Sequence, residues 1–173
     1  GYAAGTIFNF RHHFFRFNGN YRPNLTFGFD RPYTKYPVTV AGHWENNGDF
    51  IPATSRVTFD GGAQQRVFGT AIADNNFYEY EIANGNHVLM DANMNVTQEL
   101  RLTSGRIKLN NRLLTLTNPA TTALVRTAGG LQGETDIIAN NVSPYGRFRW
   151  TMGSTAGMRV IPWMNSAAVS VYI

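Results

Sequence analysis

Short runs of alternating apolar and polar residues fill most of the chain. Apolar residues recur at every second position, as in Val57/Phe59, Leu100/Leu102 and Leu114/Leu116. A period of two places one row of side chains in a core and the other row in solvent, which is the pattern of a half-buried β-strand. The pattern predicts strands over residues 38–40, 56–59, 65–68, 77–82, 87–91, 95–103, 106–110, 113–117, 123–127, 146–152 and 158–161.

Turn residues separate these runs, among them Asn84-Gly85-Asn86, Ser104-Gly105 and Asn110-Asn111. Glycine and asparagine tolerate the positive φ angles that tight corners require. Between residues 87 and 117, four predicted strands follow one another with almost no connecting loop. A β-solenoid turns its corners in this way, and a meander in a β-sandwich can do the same. No strict repeat period is visible. We predict an all-β chain with a β-solenoid body, and a β-sandwich is the alternative.

The first 41 residues differ from the rest because they are rich in aromatic side chains. Two strand-like runs, 6–17 and 25–30, flank Asn18-Gly19-Asn20, a sequence typical of a hairpin turn. Apolar residues lie on both faces of the first run, so this strand must be covered on both sides. We therefore expect two parts, an aromatic arm or hairpin over 1–41 and the solenoid-like body over 42–173. The arm and the last strand-like run are the candidate subunit interface: Phe8, Phe10, Phe14, Phe15, Phe17, Val169, Val171 and Ile173.

The composition supports the all-β prediction and narrows the function. The chain has 18 Asn, 17 Thr and 17 Gly, all poor helix formers. Its net charge of +4 comes almost entirely from arginines that are scattered along the chain, so nucleic acid is not an expected partner. The chain has no cysteine, and no apolar run reaches the ~18 residues that a membrane-spanning helix needs.

Several of these segments resemble one known family. The segments that carry the resemblance are the runs 43–50, 56–61 and 64–69, the aromatic strand 77–82, the stretch 88–116, and the closing elements 146–153 and 158–162. Together they resemble exported repeat proteins of gliding-type bacteria, including the Bacteroidota, many of which leave the cell by type IX secretion. The resemblance covers residues 42–165 and implies an extracellular or cell-surface module with a β-helix-like fold. It implies no catalytic residues.

The chain contains no sequence motif typical of a catalytic or metal site. His12 and His13 are neighbours on a predicted strand and point to opposite faces, so they cannot share an ion without a bulge. Glu79 and Glu81 share one strand face and are the best candidate for a pair of glycosidase carboxylates, although a solvated strand face explains them equally well. We therefore expect no metal, no cofactor and no enzyme activity.

The aromatic residues leave a choice between ligand binding and core packing. Trp44, Trp150 and Trp163 are candidates for stacking on a sugar ring, and the alternation of Trp44 and Trp150 also fits a core position. The favoured hypothesis is an extracellular structural protein that self-assembles into a surface filament, sheath or adhesive layer. The alternatives are a carbohydrate-binding surface module and a polysaccharide-acting β-helix enzyme that uses an arginine with Glu79 or Asp91.

Overall fold

The computed structural model describes residues 15–17, 27–28, 37–47, 50–69, 75–133, 145–153 and 157–163. These residues form short strands and one 3-10 turn, Thr121–Ala123. The strands, in chain order, are β1 (Phe15–Phe17), β2 (Phe27–Gly28), β3 (Pro37–Val40), β4 (Trp44–Glu45), β5 (Phe50–Ile51), β6 (Arg56–Phe59), β7 (Gln65–Phe68), β8 (Asn75–Ala83), β9 (Val88–Met90), β10 (Met94–Ser104), β11 (Arg106–Lys108), β12 (Leu113–Leu116), β13 (Leu124–Arg126), β14 (Gly130–Gln132) and β15 (Arg147–Trp150).

Every pair of neighbouring strands among the described residues is parallel. One sheet has the order β1-β3-β6-β8-β10-β12-β15, with β13 also paired to β10. A second sheet has the order β14-β11-β9-β7-β4, and β2 pairs with β5. Parallel strands joined by tight corners are the arrangement of a solenoid, whereas a sandwich built from hairpins would pair them antiparallel. The β-solenoid prediction is confirmed.

The two longest strands each turn a corner and so contribute to two faces of the solenoid. In β10, residues 94–96 pair with β12 and residues 100–102 pair with β13, and the register shifts between Val96 and Glu99. The first face therefore contains β1, β3, β6, the second halves of β8 and β10, and β13. The second face is the β14-β11-β9-β7-β4 sheet, and the third face contains the first halves of β8 and β10 with β12 and β15.

The length of a coil varies, which explains why the sequence shows no strict period. Along the first face, Val38, Val57, Tyr80, Leu100 and Leu124 are paired in succession and are 19, 23, 20 and 24 residues apart. Corners absorb the extra residues, because a solvent-facing loop can lengthen without disturbing the strands that it joins. The coils therefore stack in a regular way in the structure, although the sequence shows no fixed repeat length.

The inward-facing side chains form one continuous core along the axis. Its N-terminal part is aromatic, with Trp44 packed against Phe50 and Phe77 at ring-centroid distances of 4.8 and 5.1 Å. Its C-terminal part is aliphatic, and the fully buried residues there include Leu100, Leu102, Ile107, Leu109, Leu114 and Leu116. Burial of each such side chain stabilises the fold by about 1.5–3 kcal/mol. The alternation in the sequence marks these core positions correctly.

The corners are formed by the residues that the sequence indicated. Gly105 has φ +73°, and Asn110 and Asn111 have φ 46° and 58°. At Gly105 the preceding coil also approaches closely, since a Cβ atom there would lie 1.8 Å from the backbone oxygen of Asn84. Glycine is therefore required at this corner both for its backbone conformation and for space.

The described parts of the two N-terminal runs pair in parallel with later strands, β1 with β3 and β2 with β5. Residues 18–26, which contain the Asn18-Gly19 turn signal, lie outside the described part, so the hairpin stays a prediction. The strand expected over 158–161 is not formed, and an isolated bridge joins Leu131 to Trp163 just after this segment.

Candidate functional site

Five charged side chains meet on the outer surface of the first face. Arg56 lies between Glu79 and Glu99, with nitrogen–oxygen distances of 2.8 and 3.1 Å, and Arg101 reaches Glu99 at 2.9 Å. The register explains the meeting, because Arg56 pairs with Glu79 and Glu79 pairs with Glu99 on successive coils. Glu81 is 3.9 Å from Arg56 and accepts a hydrogen bond from the Thr103 hydroxyl at 2.6 Å.

This cluster stabilises the sheet and does not resemble a hydrolytic centre. Glu79 and Glu81 share a face, as the sequence predicted, but Arg56 and the hydroxyls of Thr58 and Thr103 already hold their carboxylates. Glu79 is also only 4% exposed, which leaves little surface for a substrate. A glycosidase needs its two carboxyl groups on either side of an accessible sugar bond. The arrangement links three coils by charge-assisted hydrogen bonds.

Asp91 lies on a different side of the solenoid, directly after β9. It accepts hydrogen bonds from Arg66 at 2.7 Å and from the side-chain amide of Asn110 at 2.9 Å. Asn110 is a corner residue with positive φ, so Asp91 serves to fix the corner of the next coil. Glu79 and Asp91 are each paired with an arginine, Glu79 with Arg56 and Asp91 with Arg66, and the two pairs lie at separate positions on the solenoid.

The structure buries the first of the three tryptophans that were candidates for sugar stacking. Trp44 has no exposed surface, and its indole N–H donates a hydrogen bond to the side-chain oxygen of Asn75 at 3.0 Å. Trp44 therefore cannot stack on a ligand, and the core-packing interpretation is correct for this residue. Its alternation with polar neighbours in β4 already indicated an inward position.

The other two tryptophans lie at the C-terminal end of the solenoid. Trp150 is 8% exposed, donates to the backbone oxygen of Asn118 at 2.9 Å, and carries the Arg159 guanidinium 5.3 Å from its ring centroid. Trp163 is half-buried, packs against the core and bridges to Leu131. The Trp150 ring is therefore not open to stacking on a ligand, and the sugar-stacking role of Trp163 stays a prediction.

The other predicted sites fall partly outside the described residues. Side chains of Phe8, Phe10, Phe14, Phe15 and Phe17 are not described, and neither are Val169, Val171 and Ile173, so their interface role stays a prediction. His87 uses Nδ1 to accept a hydrogen bond from the backbone N–H of Arg106 at 3.2 Å. Within the described part of the chain, no three His, Asp or Glu side chains converge as metal ligands would.

The C-terminal end of the third face has an open strand edge, which sequence reasoning did not locate. β15 pairs with β12 on one side, and no described strand covers its other side. The backbone N–H groups of Arg147 and Thr151 point to β12, so those of Phe148 and Trp150 point to the open edge. Large apolar side chains are exposed in the described residues that flank and follow β15 in the chain: Tyr145 (62%), Met152 (54%), Met158 (85%) and Val160 (67%).

Charge is distributed in bands along the solenoid axis. Residues 37–105 contain eight acidic and three basic residues, whereas residues 106–173 contain two acidic and seven basic residues. Successive coils follow the sequence, so among the described residues six acidic residues lie in the middle coils, and the C-terminal coils contain seven basic residues and no acidic one. The arginines look scattered in the sequence. The sequence feature that could have indicated a basic end is the lack of acidic residues over 106–133.

Comparison with protein-family profiles, with curated protein sequences and with solved structures found no match to the chain. In the part of the chain that the structure describes, no helix is long and apolar enough to cross a membrane.

Proposed function

We propose that the chain is an extracellular structural protein that self-associates at the cell surface into a filament, sheath or adhesive layer. The observation that carries the proposal is the open edge of β15. A strand edge with unpaired backbone groups is a template for another strand. The location rests on the resemblance of residues 42–165 to exported surface proteins.

Solenoid geometry favours growth along the axis. Each coil contacts only its neighbours, so a terminal coil needs either a polar cap or another coil placed against it. The end after β15 instead presents Met152, Met158 and Val160 to solvent. Exposed apolar surface of this kind marks an interaction site, and an end-to-end contact that does not close on itself produces fibres.

The N-terminal residues supply the second half of the proposed contact. β1 and β2 show that the chain adds coils before β3, and the aromatic residues of 1–41 are the candidates to receive the C-terminal end of another copy. Deletion of residues 1–30 is therefore expected to reduce the size of the assembly. If the size of the assembly is the same after this deletion, residues 1–30 do not form the contact between copies.

Sedimentation velocity over a range of protein concentrations tests the proposed edge. The double variant Met158→Lys/Val160→Lys is expected to remain folded, since both side chains are exposed, and to shift the protein towards monomers. The matched control is Ile51→Lys, which changes a 49% exposed apolar residue on β5, a strand that is already paired with β2. The proposal fails if the double variant and the control assemble alike, or if the unchanged protein is monomeric at every concentration.

A further inference from the structure

The basic C-terminal coils present two exposed arginines on the third face and a third exposed arginine at the corner that precedes this face. Arg147 and Arg149 point outward from β15, and the exposed Arg112 directly precedes β12. The backbone N–H of Arg147 donates to the backbone oxygen of Arg112 at 2.8 Å, so the two residues lie on neighbouring coils. Same-face residues on one strand are about 7 Å apart, and neighbouring strands are about 4.8 Å apart. The three guanidinium groups therefore start from a small area of the third face and the corner before it.

Among the described residues, these arginines have no acidic partner, in contrast to the arginines of the middle coils. Arg56, Arg66 and Arg101 all form ion pairs with glutamate or aspartate. From residue 106 onward the sequence holds only Glu134 and Asp136 as acidic residues, and no described residue there is acidic. Clustered like charges repel one another and attract mobile anions. An anionic ligand would remove that repulsion.

Polar side chains continue the arginine surface along the third face. Arg149 is in register with Thr115, which is in register with Asn95 and then Asn76. This outward column offers a guanidinium, a hydroxyl and two amides at intervals of one coil. Hydroxyl and amide groups hydrogen-bond sugar hydroxyls, and arginine binds carboxylate or sulfate groups in a bidentate manner.

We propose that this surface, formed by Arg112, Arg147, Arg149 and Thr115, binds an acidic polysaccharide. The basic band spans about two coils, or ~10 Å along the axis, because each coil adds about 4.8 Å. That height suits one extended polymer chain. Single-stranded nucleic acid is disfavoured, because its binding relies on rows of aromatic rings and the only strongly exposed ring among the described residues of this end is Tyr145.

This inference does not depend on self-association, and its test uses different side chains. The full chain is titrated by biolayer interferometry with immobilised alginate, heparin, neutral dextran, and single-stranded and duplex DNA of 20 nucleotides. We expect binding to alginate and heparin that weakens as salt is raised, with little binding to dextran. The triple variant Arg112→Gln/Arg147→Gln/Arg149→Gln is expected to lose at least tenfold in affinity for both acidic glycans.

Two controls make the outcome unambiguous. Arg66→Gln removes one half-exposed cation from the acidic middle and is expected to change glycan affinity by less than about twofold. Circular dichroism and sedimentation of the triple variant check that its fold and assembly are retained. The proposal is overturned if the acidic glycans do not bind, if the triple variant binds them as tightly as the unchanged chain, if dextran binds equally well, or if either DNA binds more tightly than both acidic glycans.

Discussion

Trp44 and Asn75 are joined inside the solenoid by a hydrogen bond from the indole N–H to the side-chain amide oxygen, 3.0 Å long. The two residues are 31 positions apart and belong to different coils, and both are almost fully buried. The indole donor therefore has a partner in a place where water could not replace it. The bond fixes how the second and third faces meet at the aromatic end of the core.

Replacement of Asn75 by leucine is expected to destabilise the chain by about 1–3 kcal/mol, because the indole N–H of Trp44 would be buried without a partner. Chemical denaturation followed by tryptophan fluorescence measures the loss. The control is Asn76→Ala on the outer side of the same strand, for which a change within about 1 kcal/mol is expected. Equal losses of stability in the two variants would show that the buried hydrogen bond contributes no more to stability than the outer side chain of Asn76.

Replacement of Tyr80 by phenylalanine is expected to leave stability unchanged or to raise it. The Tyr80 hydroxyl is buried and has no hydrogen-bond partner among the described residues, while its ring packs 5.0 Å from the Phe59 centroid. An unsatisfied buried polar group costs about 1–3 kcal/mol, and phenylalanine keeps the ring contacts. Tyr80→Leu, which removes the ring, is expected to lose several kcal/mol by the same denaturation assay. A loss above about 1 kcal/mol for Tyr80→Phe would show that the hydroxyl is partnered.

The same hydroxyl predicts a response to alkaline pH. Burial raises the pKa of Tyr80 well above its ordinary value of 10.0. Above pH 10 the unfolded chain loses this proton while the folded chain keeps it, so stability is full below pH 10 and falls as the pH rises further. The difference in melting temperature between the unchanged chain and Tyr80→Phe should widen between pH 9 and pH 11 in favour of the variant. A constant difference would contradict the buried, neutral state.

Arg56 and Arg66 provide a matched comparison of two ion pairs. Arg56→Met is expected to destabilise the chain by about 3 kcal/mol, because the buried Glu79 would lose its ion pair with Arg56 while it faces Glu99 on the neighbouring coil. Arg66→Met, which breaks a pair whose arginine side chain is 51% exposed, should cost less than about 1 kcal/mol. Similar costs for the two variants would argue against the central role of Arg56.

Gly105 and Gly62 distinguish a required glycine from a permissive one. Gly105→Ala is expected to lose more than about 2 kcal/mol, since the new Cβ would collide with the Asn84 backbone at a residue with positive φ. Gly62→Ala meets nothing within 4 Å and should be nearly neutral. Thermal melts of the two variants measure the difference. Equal melting temperatures of the two variants would show that glycine is not required at position 105.

Local features of the fold were predictable from the sequence because each follows from a few neighbouring residues. The alternation of Leu100/Leu102 and Leu114/Leu116 identified inward positions, and Ser104-Gly105 and Asn110-Asn111 identified corners. The predicted segments 56–59 and 65–68 coincide with β6 and β7. Pairing partners were harder to predict, since coils of unequal length hide the repeat that would reveal them.

The candidate site was less predictable, because it depends on which residues stack across coils. Arg56, Glu79 and Glu99 are 23 and 20 residues apart, and only the register shows that they form one cluster. The alternation around Trp44 favoured a core position, but the sequence alone did not exclude sugar stacking, which its burial in the structure does. The charge bands were missed for a similar reason: a scattered set of arginines becomes a compact surface only when the chain is wound into coils.

Electron microscopy of the purified, negatively stained chain tests self-assembly most directly. The proposal predicts elongated polymers that lengthen with protein concentration, and the Met158→Lys/Val160→Lys variant should show short particles under the same conditions. Isolated single particles of the unchanged chain at every concentration, or polymers of equal length in the double variant, would contradict assembly through the open β15 end.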